Sequence, residues 1–216
     1  MQKIEYTPER CEELLVCMDD PMYFIETYVI GAQLTPFQKE VVEGLMSGHV
    51  IARGPRRNGK STVMWAFVLW YAMFHHERVI ALVHSRNMKS EHVRQEFAAA
   101  FERLPYWMRP EIMRQNKDYI EFGNGTRLLY RTASANALRG MAISLLVLPD
   151  FPCIEPRLQE EIWASVVPMI CATKGTCLLM HDNSSGDGEV FSRIWASAAD
   201  KQTTFRAVAD DRWEPK

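Results

Sequence analysis

Several features that would point to particular protein classes are missing from this 216-residue chain. It has no internal repeat and no low-complexity linker. Lysine and arginine number 25 against 27 aspartates and glutamates, so bulk charge gives no sign of a nucleic-acid binder and any such contact would need a local basic patch. The five cysteines have no zinc-type spacing, which favours free thiols in a reducing compartment. The longest apolar run, residues 63–74, is too short to cross a bilayer, so we expect no membrane partner.

The order of apolar patterns predicts an α/β fold. Short apolar runs alternate with longer segments of helical periodicity, which is typical of a mainly parallel sheet flanked by helices. Asn124-Gly125 between two short runs predicts a β-hairpin insertion on this sheet. The length suits a single domain, residues 1–216, with residues 1–34 as a helical segment packed on it. We expect helices at residues 7–19, 21–30, 35–46, 60–75, 87–104, 159–167 and 188–199, and strands at 49–52, 79–83, 119–122, 126–130, 143–148, 176–180 and 203–208.

One segment matches the phosphate-binding loop G-x-x-x-x-G-K-[ST] in full, with a strand candidate before it and a helix after it. In such a P-loop (Walker A motif) glycines let the backbone present N–H groups to phosphate oxygens, and the helix N-terminus adds positive potential. Lys60 is expected to reach the β- and γ-phosphates of ATP, and the Ser61 hydroxyl to ligate Mg²⁺. A chance match in a surface loop is the alternative, which the flanking strand and helix disfavour. The nucleotide-contacting residues would be Gly54, Pro55, Arg56, Arg57, Asn58, Gly59, Lys60, Ser61 and Thr62.

Two arginines, Arg56 and Arg57, stand inside this loop. Cations beside a triphosphate can neutralise the charge that builds on the transferred group, so Arg56 is a candidate catalytic residue. For Arg57, a solvated side chain or a pair with a surface carboxylate is an equally open interpretation.

The acidic residues of the site are less regular than the loop. P-loop ATPases commonly carry, after a buried strand, an Asp that holds Mg²⁺ and a Glu that activates water (the Walker B region). Here the matching strand is followed by Pro149-Asp150, which supplies one acid. Asp150 is the candidate metal ligand or catalytic acid, and Glu155 is a candidate substitute for the second. The alternative is that Asp150 only ends a strand and begins a turn before Pro152.

Residues 20–195 resemble the ATPase domain of the large terminase subunit of tailed bacteriophages, the motor that pumps DNA into capsids. Beyond the P-loop, the resemblance rests on Asp20-Pro21-Met22-Tyr23-Phe24, on Leu34-Thr35-Pro36-Phe37-Gln38, on residues 118–130, and on residues 133–140, which end in Arg139-Gly140. It implies a P-loop NTPase of the additional-strand (ASCE) type.

The resemblance also assigns roles to three residues. Gln38 would contact adenine, although Thr35 and Gln38 also fit a capping box for their own helix. Arg56 would sense or stabilise the γ-phosphate. Arg139 would act in trans as a finger toward a neighbouring subunit's nucleotide, or would pair locally.

The family's activity is Mg²⁺-dependent ATP hydrolysis that drives translocation of double-stranded DNA, so the resemblance implies the same here. It further implies a portal protein and a small terminase subunit as partners, a homo-oligomeric ring, and the host cytoplasm as location. Packaging terminases usually continue into a nuclease domain for which 216 residues leave no room, so we expect the ATPase domain only.

Two departures from the family pattern keep a second function open. The family's Asp-Glu pair falls on Pro149-Asp150, so proline replaces the Mg²⁺-binding Asp. The threonine-rich coupling motif falls around Asn183-Ser184 and lacks threonine. The alternative is therefore a catalytically impaired nucleotide-binding module that assembles with or regulates an active partner. A helicase-like or repair ATPase is a third, weaker candidate.

Overall fold

The fold is built on one eight-stranded sheet with helices on both faces. The structure, a computed structural model, describes residues 6–86, 90–134, 136–138, 140–172, 174–182 and 188–212. The strands are β1 (His49–Gly54), β2 (Val79–His84), β3 (Ile112–Gln115), β4 (Tyr119–Phe122), β5 (Arg127–Thr132), β6 (Leu145–Leu148), β7 (Thr176–Asp182) and β8 (Phe205–Ala209). The α-helices are α1 (Pro8–Asp19), α2 (Pro21–Phe24), α3 (Pro36–Ser47), α4 (Lys60–Phe74), α5 (Ser90–Arg103), α6 (Pro156–Ala172) and α7 (Glu189–Ala199).

The strand order is β3-β4-β5-β2-β6-β7-β1-β8. The run from β5 to β8 is parallel throughout, and β4 and β3 extend it antiparallel at one edge. Strand β7 lies between β1, which leads into the P-loop, and β6, which leads into Pro149-Asp150. This inserted strand confirms the predicted additional-strand α/β fold, and the β4–β5 hairpin confirms the insertion.

Alternate residues of the central strands enter two separate cores. On one face, Val50, Ile80 and Val147 pack beneath α3, α4 and α5. On the other face, Ile51 and Leu146 pack with residues of α6 and α7. Both faces of the parallel strands are therefore buried, which explains why these strands read as continuous apolar runs in the sequence.

Helix α4 is buried on nearly every side, because the N-terminal helices cover the face that points away from the sheet. Trp70 Nε1 donates a 2.8 Å hydrogen bond to the carbonyl of Cys17. The rings of Phe24 and Phe74 meet edge to face at 5.6 Å. The helix that begins at the P-loop is therefore held from both sides.

The structure departs from the expected elements in three places. Residues 21–30 form α2 followed by a π-helix, Ile25–Ile30, in place of one α-helix. Strand β3 was not predicted, because all four of its residues are exposed and it exists through pairing with β4. Helix α6 runs from Pro156 to Ala172, well beyond the expected residues 159–167. Of the cysteines that the structure describes as free, Cys17 and Cys177 are buried and Cys11 is exposed.

Candidate nucleotide-binding site

The P-loop lies at the carboxyl end of the parallel strands, where β1 ends at Gly54 and α4 begins at Lys60. This edge is the usual ligand site of open α/β sheets. A cavity of about 310 Å³ opens in front of the loop. Residues 56–62 form one wall, Pro149 and Asp150 after β6 contribute to it, and His92, Val93 and Glu96 of α5 close the remaining side. The loop and the end of β6 are thus brought together as the sequence predicts.

Lys60 is folded back into the loop. Its Nζ donates to the carbonyl oxygens of Gly54 and Pro55, over 2.9 and 2.6 Å, and to Oδ1 of Asn58 over 3.0 Å. The residue is only 7% exposed, so a fixed positive charge stands at the centre of the loop. Such a charge, together with the N-terminus of the 15-residue helix α4, favours an anion in the cavity.

Both arginines of the loop are exposed and line the cavity. Arg57 has φ 63°, in the left-handed region that non-glycine residues seldom adopt. Strain of this kind persists where the surrounding structure fixes it and concentrates at functional sites. The geometry places Arg56 and Arg57 beside the space that an anion would occupy, as the sequence predicts.

Gln38 supports the loop from outside the cavity. Its Oε1 accepts from the backbone N–H of Thr35 over 3.0 Å, which completes the capping box of α3. Its Nε2 donates to the carbonyl of Gly59 over 3.2 Å. Gly59 has φ 84°, and a Cβ there would overlap the Gln38 amide. Both ends of the amide are therefore engaged, and adenine contact stays a prediction.

Asp150 lies where the sequence places it, and it is half-buried at the cavity wall beside Pro149. Glu155 is exposed, just ahead of α6, and is not among the residues that line the cavity. Among the described lining residues, the carboxylates are Asp150 and Glu96.

Two carboxylates near the loop escaped the sequence analysis. Glu96 lies on α5, and its Oε2 accepts a hydrogen bond from Trp65 Nε1 over 3.1 Å. Asp210 follows β8, and its Oδ2 accepts from Asn58 Nδ2 over 3.1 Å. The only local signal for Glu96 was its place on a helix after a buried parallel strand, and Asp210 had the similar signal of following a strand.

Oxygen donors suited to Mg²⁺ are present at the cavity. Ser61 is exposed there, and Asp150 lines the same space. In the part of the chain that the structure describes, no group of three or more His, Cys, Asp or Glu side chains could hold a metal by itself. That donor set fits Mg²⁺, which is commonly bound by one or two protein oxygens together with substrate phosphates and water.

Some predicted positions lie outside the described residues. These are Arg139, the proposed trans-acting residue, and Asn183-Ser184, where the coupling motif would fall. Within the described ranges, no helix has both the length and the apolar character needed to cross a membrane.

The chain resembles solved structures of bacteriophage large terminases. No protein-family model matches it. The HK97 bacteriophage large terminase superposes with a TM-score of 0.69 at 15% identity, covering 91% of this chain and 45% of that one. The large terminase ATPase domain of Thermus phage P74-26 gives 0.64 at 10% identity, over 96% of this chain and 86% of that domain. The large terminase of another thermophilic bacteriophage, solved in complex with ADP, gives 0.60 at 13% identity, over 82% of this chain and 45% of that one.

At this identity the similarity establishes the fold, which is that of large terminase ATPase domains, and thereby confirms the fold implied by the sequence resemblance. The chain spans 45% of the HK97 protein but 86% of the P74-26 ATPase domain, so it corresponds to the ATPase part.

Proposed function

We propose that this chain binds ATP with Mg²⁺ at the P-loop cavity and hydrolyses it as the ATPase of a viral DNA-packaging motor. The observation that carries the proposal is the shared cavity: buried Lys60 and exposed Arg56 and Ser61 on one wall, with Asp150 on another. These are the groups that phosphoryl transfer needs, since its catalysis rests on positioning and electrostatic stabilisation.

Triphosphate binding would replace the acceptors that Lys60 now uses. Its Nζ contacts three loop oxygens, and the negative oxygens of a β- or γ-phosphate are stronger acceptors than backbone carbonyls. The N–H groups at the start of α4 would contact the same phosphates. Arg56, and Arg57 if it turns toward the cavity, would neutralise the γ-phosphate.

Ser61 and Asp150 would hold Mg²⁺, which neutralises phosphate charge when bound. Attack of a water oxygen on the γ-phosphorus breaks the bond between that phosphorus and the bridging oxygen, which leaves on ADP. The water proton must pass to a base, and Asp150 or Glu96 is placed in the cavity to accept it. Glu155 would have to move to serve this step, because it lies outside the lining.

The motor role rests on the likeness to packaging terminases. The three matching proteins described above are large terminases, and all three come from bacteriophages. By analogy the substrate moved would be double-stranded DNA, with a portal protein and a small terminase subunit as partners in the host cytoplasm. A ring of copies would let Arg139 of one subunit reach the nucleotide of its neighbour.

A catalytically impaired, nucleotide-binding module is the second candidate, and Pro149 favours it. Proline stands where a Mg²⁺-binding carboxylate is expected, so Asp150 must serve alone or with a residue from elsewhere. Such a module would bind ATP and would assemble with or regulate an active partner.

The deciding experiment measures ATP affinity and Mg²⁺-dependent turnover in parallel. Wild type is compared with Lys60→Ala, Asp150→Asn and, as a matched acidic control, Glu155→Gln. We expect Lys60→Ala to lose nucleotide binding, and Asp150→Asn to bind but turn over at least about tenfold more slowly. Wild type that binds ATP without turnover would favour the regulatory module, and wild type that does not bind would overturn both.

A further inference from the structure

The strand at the sheet edge beside β1 ends in a carboxylate that contacts the P-loop from behind. Asp210 follows β8, and its backbone N–H donates to the carbonyl of Arg53 on β1 over 3.1 Å. Its side chain accepts from Asn58 Nδ2 over 3.1 Å, and the residue is 6% exposed. Asp210 does not line the cavity, so it cannot contact a nucleotide there directly.

The contact with Asp210 determines which way the Asn58 amide points. Asn58 is itself 6% exposed. An ionised carboxylate only accepts hydrogen bonds, so the NH₂ end of the amide must face Asp210. The amide oxygen is then turned inward, where it accepts from the backbone N–H of Lys60 over 3.2 Å and from Lys60 Nζ over 3.0 Å. One buried amide thus links the carboxylate to the lysine of the loop.

Two neighbouring residues are shaped around this pair. A Cβ on Gly54 would overlap Asn58 Nδ2 and lie 3.0 Å from the Cβ of Asp210, so the first glycine of the motif leaves room for the Asn58–Asp210 contact. Arg212 donates to Asp210 from Nε and Nη2 at 3.0 Å each. That ion pair compensates the charge of Asp210 and holds the pKa of its carboxyl at about 2, so it is an acceptor throughout the neutral range.

We propose that Asp210 is a positioning residue of the nucleotide site: it fixes the amide of Asn58 so that its oxygen holds Lys60 inside the P-loop. This inference rests on the proposed nucleotide binding. A lysine that is already held beside the phosphate position loses less freedom when the anion arrives, and preorganisation of this kind raises affinity. Without Asp210, the Asn58 amide can rotate and present its NH₂ group, which repels the ammonium.

The test is a double-mutant cycle on the affinity for a fluorescent ADP analogue. The variants are Asp210→Ala, Asn58→Ala and the double variant. We expect each single change to weaken binding about fivefold, and the double variant to bind no more weakly than Asn58→Ala, because the two residues act in series. Additive losses, or unchanged affinity in Asp210→Ala, would overturn the proposal.

Arg212→Ala separates positioning from stability. It removes the ion pair to Asp210 but keeps the bond between Asp210 and Asn58, so the melting temperature should fall while ADP affinity stays within about twofold of wild type. Equal affinity losses in Arg212→Ala and Asp210→Ala would mean that Asp210 acts through stability alone. Asp210→Asn, which keeps the side-chain volume, replaces Asp210→Ala if that variant fails to fold.

The wild-type measurement distinguishes the two levels of the argument. A wild-type chain that binds no ADP contradicts the proposed function, and the role of Asp210 falls with it. A wild-type chain that binds, beside an Asp210→Ala variant that binds equally well, contradicts only the positioning role.

Discussion

The indole Nε1 of Trp65 donates a 3.1 Å hydrogen bond to Oε2 of Glu96, which joins α4 to α5 at the cavity. Trp65 follows Ser61 by four residues, so the two side chains share one face of α4. Glu96 is therefore tied to the helix face that carries the expected Mg²⁺ ligand. With Pro149 at the end of β6, Glu96 is the second carboxylate of the cavity beside Asp150.

Glu96→Gln tests whether this carboxylate takes part in hydrolysis. The amide still accepts from Trp65 but cannot take a proton from water. If Glu96 is the base, turnover falls by a factor of about 10² or more, while ADP affinity stays within about twofold. Glu102→Gln, on the exposed face of the same helix, is the control and should match wild type. Wild-type turnover in Glu96→Gln would assign Glu96 to helix packing.

Gln38→Ala and Thr35→Ala form a matched pair. Each removes half of the capping box of α3 and should lower the free energy of unfolding by about 1 kcal/mol, measured by urea denaturation. Only Gln38→Ala also removes the bond to the Gly59 carbonyl, so only it should weaken ADP binding. Equal affinities in the two variants would show that this bond does not support the loop.

Acid stability should depend on Asp210. Arg212 holds the pKa of this carboxyl at about 2, below its ordinary value of 3.8, so folding favours the charged form. The stabilisation is present above about pH 4 and is lost as pH falls toward 2, and it amounts to at most about 2 kcal/mol. Because Arg212 is largely exposed, salt should weaken it.

Urea denaturation at pH 7, 4 and 3 checks this dependence. The Asp210→Asn variant should be less stable than wild type at neutral pH, and the difference should shrink as the solution is acidified. A constant difference across this range would contradict the assignment.

Asn124 should stabilise the fold away from the site. Its Nδ2 lies 2.8, 3.1 and 3.0 Å from the carbonyl oxygens of Ala72, Met73 and His75, at the C-terminal end of α4. Asn124→Ala leaves these carbonyls without this donor and should lower the free energy of unfolding by about 2 kcal/mol, with ADP affinity unchanged. Asn116→Ala, at an exposed turn, is the control and should cost less than about 1 kcal/mol.

The sequence predicted the parallel strands well because burial on both faces leaves a local trace. Leu145–Leu148 is buried at all four positions, and such a run is visible without any knowledge of its neighbours. Strand β3 has all four residues exposed, so nothing in its pattern distinguishes it from a loop until β4 pairs with it.

The P-loop was likewise determined by local sequence. Gly59 adopts φ 84° and Lys60 begins a helix because of residue types within a few positions of each other. Thr35 and Gln38 form the expected capping box for the same reason.

What surrounds the loop was decided by tertiary structure alone. Asn58 and Asp210 stand 152 residues apart in the chain, and Trp65 and Glu96 stand 31 apart. The first pair meets because β8 joins the sheet beside β1, and the second because α5 packs on α4. A backbone turn needs only its own residues, whereas a contact between distant side chains depends on how separate elements share a core, and no local pattern records that.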